Sequence, residues 1–288
     1  MDSPEGDRKL RERTFHDRFF ADTEIRGRQN EYYDPRTRRG LLEIAFSLLP
    51  PLKGGVALYL GSGTNAKIAR ELEARGASRV FSVDIAPEAA RFVRASLRRD
   101  GDANAERVGI MDAERVAFRD GTFDLIFGRS IIHHLSIERG REELRRLLKT
   151  GGRAIFIEPQ GMNPLINLYR RLTPAARTPD EHPLTTRDVQ RLAQGVGRLE
   201  VRHAYFLELA AYFWLKVIPI TALHRLTAGF LGALDRRLFA ALPFLRRFAW
   251  VVIFMIERAQ EFPHLRQPGN LHPRTLPDRG ENPVMGPR

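Results

Sequence analysis

Hydrophobic positions change their rhythm near residue 50. Before it, Phe15, Phe19 and Phe20, and later Leu41, Leu42, Ile44, Ala45, Leu48 and Leu49, recur at helical spacing until Pro50 and Pro51 stop the pattern. After it, short apolar runs alternate with amphipathic ones. Val56 to Leu60 reads as a buried strand, Asn65 to Arg75 as a helix closed by Gly76, and Arg79 to Val83 as a second strand. Pro87 to Arg99 is a helix with proline in its first turn, followed by strands at Arg107 to Ile110 and Phe123 to Phe127. Glu138 to Lys149 is a helix running to Gly151-Gly152, before a strand at Arg153 to Ile157. Strands alternating with helices at this spacing predict an α/β, Rossmann-like parallel sheet with helices on both faces.

Past Glu158 the pattern predicts a helix over Thr186 to Gln194 and strands over Leu199 to Tyr205 and Trp250 to Ile256. Residues 207–248 form an apolar, helical insertion whose runs are broken by Lys216, His224, Arg225, Asp235, Arg236 and Arg237, so none reaches the length of a membrane span. The expected organisation is an N-terminal helical lid (1–50), a core (51–206), the insertion as an acceptor lid (207–248), a last core strand (249–260) and a tail (261–288). The tail carries six prolines and three glycines, a composition that predicts disorder.

Composition narrows the class. Hydrophobic residues at 43% and charged residues at 28% suit a soluble globular protein with a full core. Without cysteine, disulfides, thiolate metal sites and cysteine nucleophiles are excluded. The charged start MDSPEGDRKLRERTF lacks an apolar signal core, so the expected location is cytoplasmic. A net charge of +12 favours anionic partners by long-range attraction, although arginine-rich enzymes also occur without one.

In parallel sheets, ligands bind beyond the carboxyl ends of the strands, so the residues there are the ones to inspect. The first strand ends in Gly61-Ser62-Gly63-Thr64-Asn65, where glycines permit a sharp turn and close approach to a ligand. Residue 66 is Ala, so this is not the dinucleotide fingerprint G-x-G-x-x-G. The second strand ends at Asp84, followed by Ile85; a carboxylate there can accept both hydroxyl protons of a ribose, or cap the next helix. Asp112-Ala113 follows the third strand, placed to accept from an exocyclic amine such as that of adenine, or to make a turn. Gly128-Arg129-Ser130 and then His133-His134 follow the fourth. The concurrence along one sheet edge weighs more than any single residue.

Over roughly residues 40–206 the chain resembles the class I S-adenosylmethionine (SAM)-dependent methyltransferases. LGSGTN is similar to their glycine loop, VDIAPEAA to their ribose acid, and MDAERVAF to their adenine loop. FDLIFGRSIIHHL with ELRRLLKTGGRAIFIEP resembles the ubiquinone- and menaquinone-type methyltransferases and natural-product relatives, and EPQGMNPLINLYRRLTPAARTPDEHPL a bacterial subgroup. The resemblance implies S-adenosyl-L-methionine as cofactor. It implies that Gly61, Ser62, Gly63 and Asn65 bear the methionine part, Asp84 and Ile85 the ribose and Asp112 with Ala113 the adenine, with Arg129 near the methionine carboxylate. Two departures stand out: Tyr59 replaces a common acidic residue, and Asn65, tolerant of left-handed backbone, replaces a third glycine.

An oxygen or carbon acceptor benefits from a general base, for which His133, His134 and His182 are candidates, with Glu158 as an acid/base alternative. Each has a structural competitor: a packed helix end, a strand terminus or a polar clasp. No zinc or iron ligand spacing is visible, and the adjacent histidines suit chelation poorly, so no metal is expected. With the insertion near the acceptor pocket, Phe206, Tyr212, Phe213 and Trp214 are expected wall residues, and Tyr32 and Tyr33 could close over SAM or simply pack. Arg225, Arg236, Arg237, Arg246 and Arg247 give it a basic edge suited to an anionic membrane, or to a solvated cap. The expected partner is a small, lipophilic acceptor, such as a quinone, polyketide, isoprenoid or lipid. The rivals are an RNA methyltransferase, against which stands the lack of any nucleic-acid-binding module, and a SAM-binding protein without transferase activity.

Overall fold

The computed structural model describes residues 4–22, 35–172, 181–211 and 220–260. Expectations for Tyr32, Tyr33, Tyr212, Phe213, Trp214 and the 261–288 tail lie outside them. Among the described residues, helices α1 (Pro4–Ala21) and α2 (Pro35–Ser47) precede β1 (Val56–Leu60). Then come α3 (Ala66–Ala74), β2 (Arg79–Asp84), α4 (Pro87–Arg99), β3 (Val108–Ile110) and β4 (Phe123–Arg129). The chain continues through α5 (Ile137–Leu147), β5 (Leu148–Pro159), α6 (Pro164–Leu172), α7 (Thr186–Ala193), β6 (Gly197–Ala204), α8 (Thr221–Ala241) and β7 (Val251–Arg258).

The seven strands form one sheet in the order β3-β2-β1-β4-β5-β7-β6. Pairing is parallel from β3 through β5, while β7 runs antiparallel to both β5 and β6. Side chains alternate across the sheet, so Ala57 and Tyr59 enter one core with Leu41, Phe46, Ile68, Leu72, Val93 and Phe127. Leu58 and Leu60 enter the other, with Phe123, Phe156, Leu144, Leu192 and Phe254. Each fully buried phenylalanine of these layers contributes about 1.5–3 kcal/mol. Strand order reverses between β1, which continues to β2 and β3, and β4, which continues to β5. Connections leave this point in opposite directions and open a crevice at the carboxyl ends of β1 and β4.

Local chemistry shifts several boundaries. Asn65 has φ −106° and caps α3 by accepting from the Lys67 amide, so it serves the loop by capping rather than by a left-handed turn. The helix expected to run to Lys149 ends at Leu147, because Leu148 already pairs with Phe123 in the sheet. The third strand is only Val108–Ile110, since a 3-10 turn, Ala103–Arg107, takes up the residues before it. β4 and β7 run two residues beyond the expected Phe127 and Ile256.

The insertion departs from β6 and returns at β7, where Ala204 faces Val251 in register and the Trp250 amide donates to the Tyr205 carbonyl at 2.9 Å. Within it lie α8 and a 3-10 turn, Pro243–Phe248. Asp235 is buried and accepts from the amides of Phe206, Leu207 and Glu208 at 3.0, 2.9 and 3.1 Å, pinning α8 to the end of β6. Phe206 packs on Phe239, ring centroids 6.1 Å apart.

Candidate functional site

The loop after β1 is built by two glycines in left-handed backbone, Gly61 at φ 67° and Gly63 at φ 51°. The amides of Gly61 and Ser62 both donate to the Val83 carbonyl, which holds the loop against the end of β2. A Cβ on Gly61 would lie 2.9 Å from the Ile131 side chain, so only glycine lets the β4 loop come this close. Ser62 is buried, and its Oγ has no hydrogen-bond partner among the described residues. A buried hydroxyl without a partner is costly and suits a site completed by a polar ligand.

Asp84 ties that loop to β2. Its Oδ2 accepts from the Gly63 amide at 2.8 Å and its Oδ1 from the Ala86 amide at 2.9 Å. Burial pushes the carboxyl above its usual range, while the amides of Ala86, Gly63 and Ile85 and the nearby His16 pull it back. The carboxylate thus links the glycine loop to the start of α4 and keeps lone pairs beyond these two bonds.

Past β3, Asp112 Oδ1 accepts from the Glu114 amide at 2.9 Å, and its other oxygen pairs with Lys9 of α1. Ala113 is buried. Glu114 is buried too; burial raises its carboxyl, but the Ser136 amide, Arg8 and Lys9 outweigh this and hold it below the usual range. Helix α1 therefore lies along the same edge. Its Phe20 ring lies 3.4 Å from where a Gly63 Cβ would stand, and its Asp17 accepts from the Glu88 amide at 2.9 Å.

The residues after β4 fold around Glu158 at the end of β5. Ser130 sits in left-handed backbone at φ 53°, and its amide donates to the Ile157 carbonyl. The turn this creates aims the amides of Ile131 and Ile132 at Glu158 Oε1, at 2.9 and 3.0 Å. Glu158 Oε2 bonds His133 Nδ1 at 2.6 Å, with both side chains buried. His133 Nε2 lies 3.8 Å from Glu181. The His182 amide donates to the His133 carbonyl at 3.0 Å, while His182 as a residue is exposed. Arg129 is half-buried and electrostatically coupled to Tyr59, whose buried hydroxyl is held above its usual range by desolvation.

His134 packs its ring on that of His133, 4.2 Å away, and directs its Nδ1 toward α1. Its Nδ1 is 3.2 Å from Glu12 Oε2, and its ring meets that of His16 edge-on at 5.0 Å. Burial, and then the neighbouring His133, push it below the usual histidine range. The fold thus gathers Gly61, Ser62, Gly63, Asp84, Asp112, Arg129, His133, His134 and Glu158 at one end of the sheet. Sequence reading missed Arg8, Lys9, Glu12, His16, Glu114 and Glu181. For Glu12 and His16 the available signal was their spacing of one helical turn.

Residues 58–156 match the model of a methyltransferase domain. Malonyl-[acyl-carrier protein] O-methyltransferase of Geobacter sulfurreducens is 35% identical over 100 residues, 34% of this chain and 36% of that protein, so the match spans about a third of the relative's length. Geranyl diphosphate C-methyltransferase of Streptomyces coelicolor superposes with TM-score 0.56 at 14% identity, covering 78% of this chain and 80% of that one. Phosphoethanolamine N-methyltransferase 2 of Haemonchus contortus does so with TM-score 0.59 at 17% identity, covering 85% of this chain and 60% of that one. At such identities the superpositions speak for the fold alone, and that fold agrees with the domain match and with the motifs at the strand ends. Residues 58–156 thus carry a methyltransferase domain, on a fold shared with the superposed methyltransferases.

Proposed function

We propose that the protein transfers the methyl group of SAM to an oxygen or carbon of a small, lipophilic acceptor, with His133 as general base. One observation carries the reading: the glycine loop, Asp84, Asp112 and the His133–Glu158 pair all meet at the crevice where strand order reverses. SAM supplies an electrophilic methyl on a sulfonium, so the protein's work is positioning and exclusion of water. Gly61, Ser62, Gly63 and Asn65 would bear the methionine end with Arg129 near its carboxylate, Asp84 and Ile85 the ribose, and Asp112 and Ala113 the adenine. The unpartnered Ser62 Oγ and the positive-φ glycines fit such a group.

For the base, Glu158 accepts three hydrogen bonds and is 1% exposed, which suits a positioning residue rather than one that meets the acceptor. A carboxylate bonded to Nδ1 keeps the proton there and leaves Nε2 of His133 as the acceptor for a proton from a hydroxyl or acidic carbon. His134 turns toward α1 and His182 is exposed, so His133 is the best placed of the histidines.

The acceptor class rests on the insertion. Leu223, Leu226 and Phe230 form an exposed stripe along α8 that Arg237 continues, beside exposed Leu242 and Phe244. Such a face suits greasy acceptors and peripheral contact with an anionic lipid surface. No described helix is long and apolar enough to cross a membrane. The S. coelicolor structure holds geranyl diphosphate, an isoprenoid, which is in keeping with this class.

Calorimetry tests the cofactor site: Asp84→Ala should weaken SAM binding by about 1.5–3 kcal/mol, the range for a hydrogen bond to a charged group. Unchanged affinity would remove the ribose assignment. Incubation with methyl-labelled SAM and a lipid extract should place label in an organic-soluble product; label in RNA instead would overturn the acceptor class.

A further inference from the structure

We infer that Glu12, His16 and His134 form a binding site for a divalent transition metal, fastening α1 to the turn that carries His133. Glu12 and His16 stand one helical turn apart on α1, and His134 comes from the Ile132–His134 turn after β4. Glu12 Oε2 lies 3.3 Å from His16 Nε2 and 3.2 Å from His134 Nδ1, and all three atoms fall within 4.8 Å of one another. Donors that share a tetrahedral zinc at about 2.0–2.1 Å are about 3.3 Å apart, so two of the three edges already have that length.

The chemistry of the set is selective. Two imidazoles and one carboxylate suit zinc, cobalt or nickel, whereas magnesium and calcium prefer oxygen alone. Three protein ligands leave a fourth position to water or to an oxygen of a bound molecule. The surroundings hold the ligands in place. Glu12 is buried, the His16 ring stacks on Phe20, and the His134 ring packs on His133 at 4.2 Å. Arg8, one helical turn before Glu12, is engaged by Glu114 and by the His134 carbonyl at 2.6 and 2.7 Å.

The spacing of His133 and His134 argued against chelation because it considered those two alone. Their rings pack together but their nitrogens serve different partners: His133 bonds Glu158, and His134 meets a helix more than a hundred residues upstream. A metal here would hold α1 across the glycine loop, where Phe20 already lies over Gly63.

The test uses the full chain, stripped with a chelator and measured without SAM, so that its outcome is independent of the methyl-transfer reading. Calorimetric titration with zinc should show one equivalent bound. Cobalt(II) should give the intense visible absorption of a four-coordinate nitrogen and oxygen site. Glu12→Gln, His16→Phe and His134→Asn should each weaken zinc binding by at least about 10-fold, since even an outer partner of a ligand is worth about 10–100-fold. The double variant His264→Gln/His272→Gln, in the tail, should bind as the wild type does. No bound zinc, no cobalt band, unchanged affinity in the three ligand variants, or loss in the tail variant would each overturn the site. The wild-type cobalt spectrum decides the matter even if a ligand variant misfolds.

Discussion

At the scale of single residues, the buried pair His133–Glu158 carries the sharpest expectation. His133→Asn should lower kcat by about 10²–10⁴-fold, the usual worth of a positioned base, and leave SAM affinity nearly unchanged. Glu158→Gln should also lower kcat, because an amide cannot accept from both Ile131 and Ile132 and still hold the His133 Nδ1 proton. Its effect should fall on kcat rather than on the acceptor KM, which steady-state kinetics would separate. Wild-type kcat in His133→Asn would remove it as the base. The positions of Gly61, Asp84 and Asp112 were legible in the sequence because each ends or follows a short strand run. Glu158 was visible as a strand terminus, yet its partners were not, since Ile131 and Ile132 contribute only backbone amides. Glu12 and His16 were hidden for another reason: their partner His134 is remote in sequence, and only tertiary contact brings the three together.

At the scale of elements, the join between β6 and α8 is the place where charge and packing compete. Glu208 is half-buried, and a Cβ on Gly232 of α8 would lie 2.9 Å from its carboxylate. Burial first, and then the neighbouring Asp235, push it up to about 7, against the pull of Arg236. Unfolded, the same carboxyl titrates in the ordinary glutamate range, so the folded state binds the proton more tightly. The stability this gives is complete below the ordinary range and is lost as pH rises through about 7. Glu208→Gln should therefore raise Tm relative to wild type at about pH 8.5, and by clearly less at about pH 5.5, as thermal melts in matched buffers would show. An equal shift at both values would mean that the carboxyl is not held up. Helices with strong local signals came out close to expectation: Pro87 opens α4, and Thr185 with Asp188 makes a capping box before α7. The edges that moved, at Leu148 and Val108, are set by pairing with Phe123 and Ser82 across the sheet, which local sequence does not encode.

At the scale of the whole molecule, part of the +12 charge falls on the arginines of the insertion. The α8 stripe of Leu223, Leu226 and Phe230 is 40–72% exposed, and Arg237 lies one further heptad along it. Co-sedimentation should show binding to vesicles rich in anionic lipid and little to neutral ones. Reversing charge at Arg236 and Arg237 to Glu should reduce it, as should Leu226→Asp with Phe230→Asp. Binding that ignores both pairs would assign the face to plain structural cover. The alternating pattern made the parallel sheet legible, but the antiparallel course of β7 was not, because an apolar strand reads alike in either direction. That reversal has a consequence for descent. Since β6 and β7 are neighbours joined in register at Ala204 and Val251, everything between them is an excursion that starts and finishes at one spot on the sheet. Lengthening such an excursion costs only about 0.6 kcal/mol for each doubling. Lineages could thus exchange this cassette and acquire new substrates while the cofactor scaffold stayed as it was.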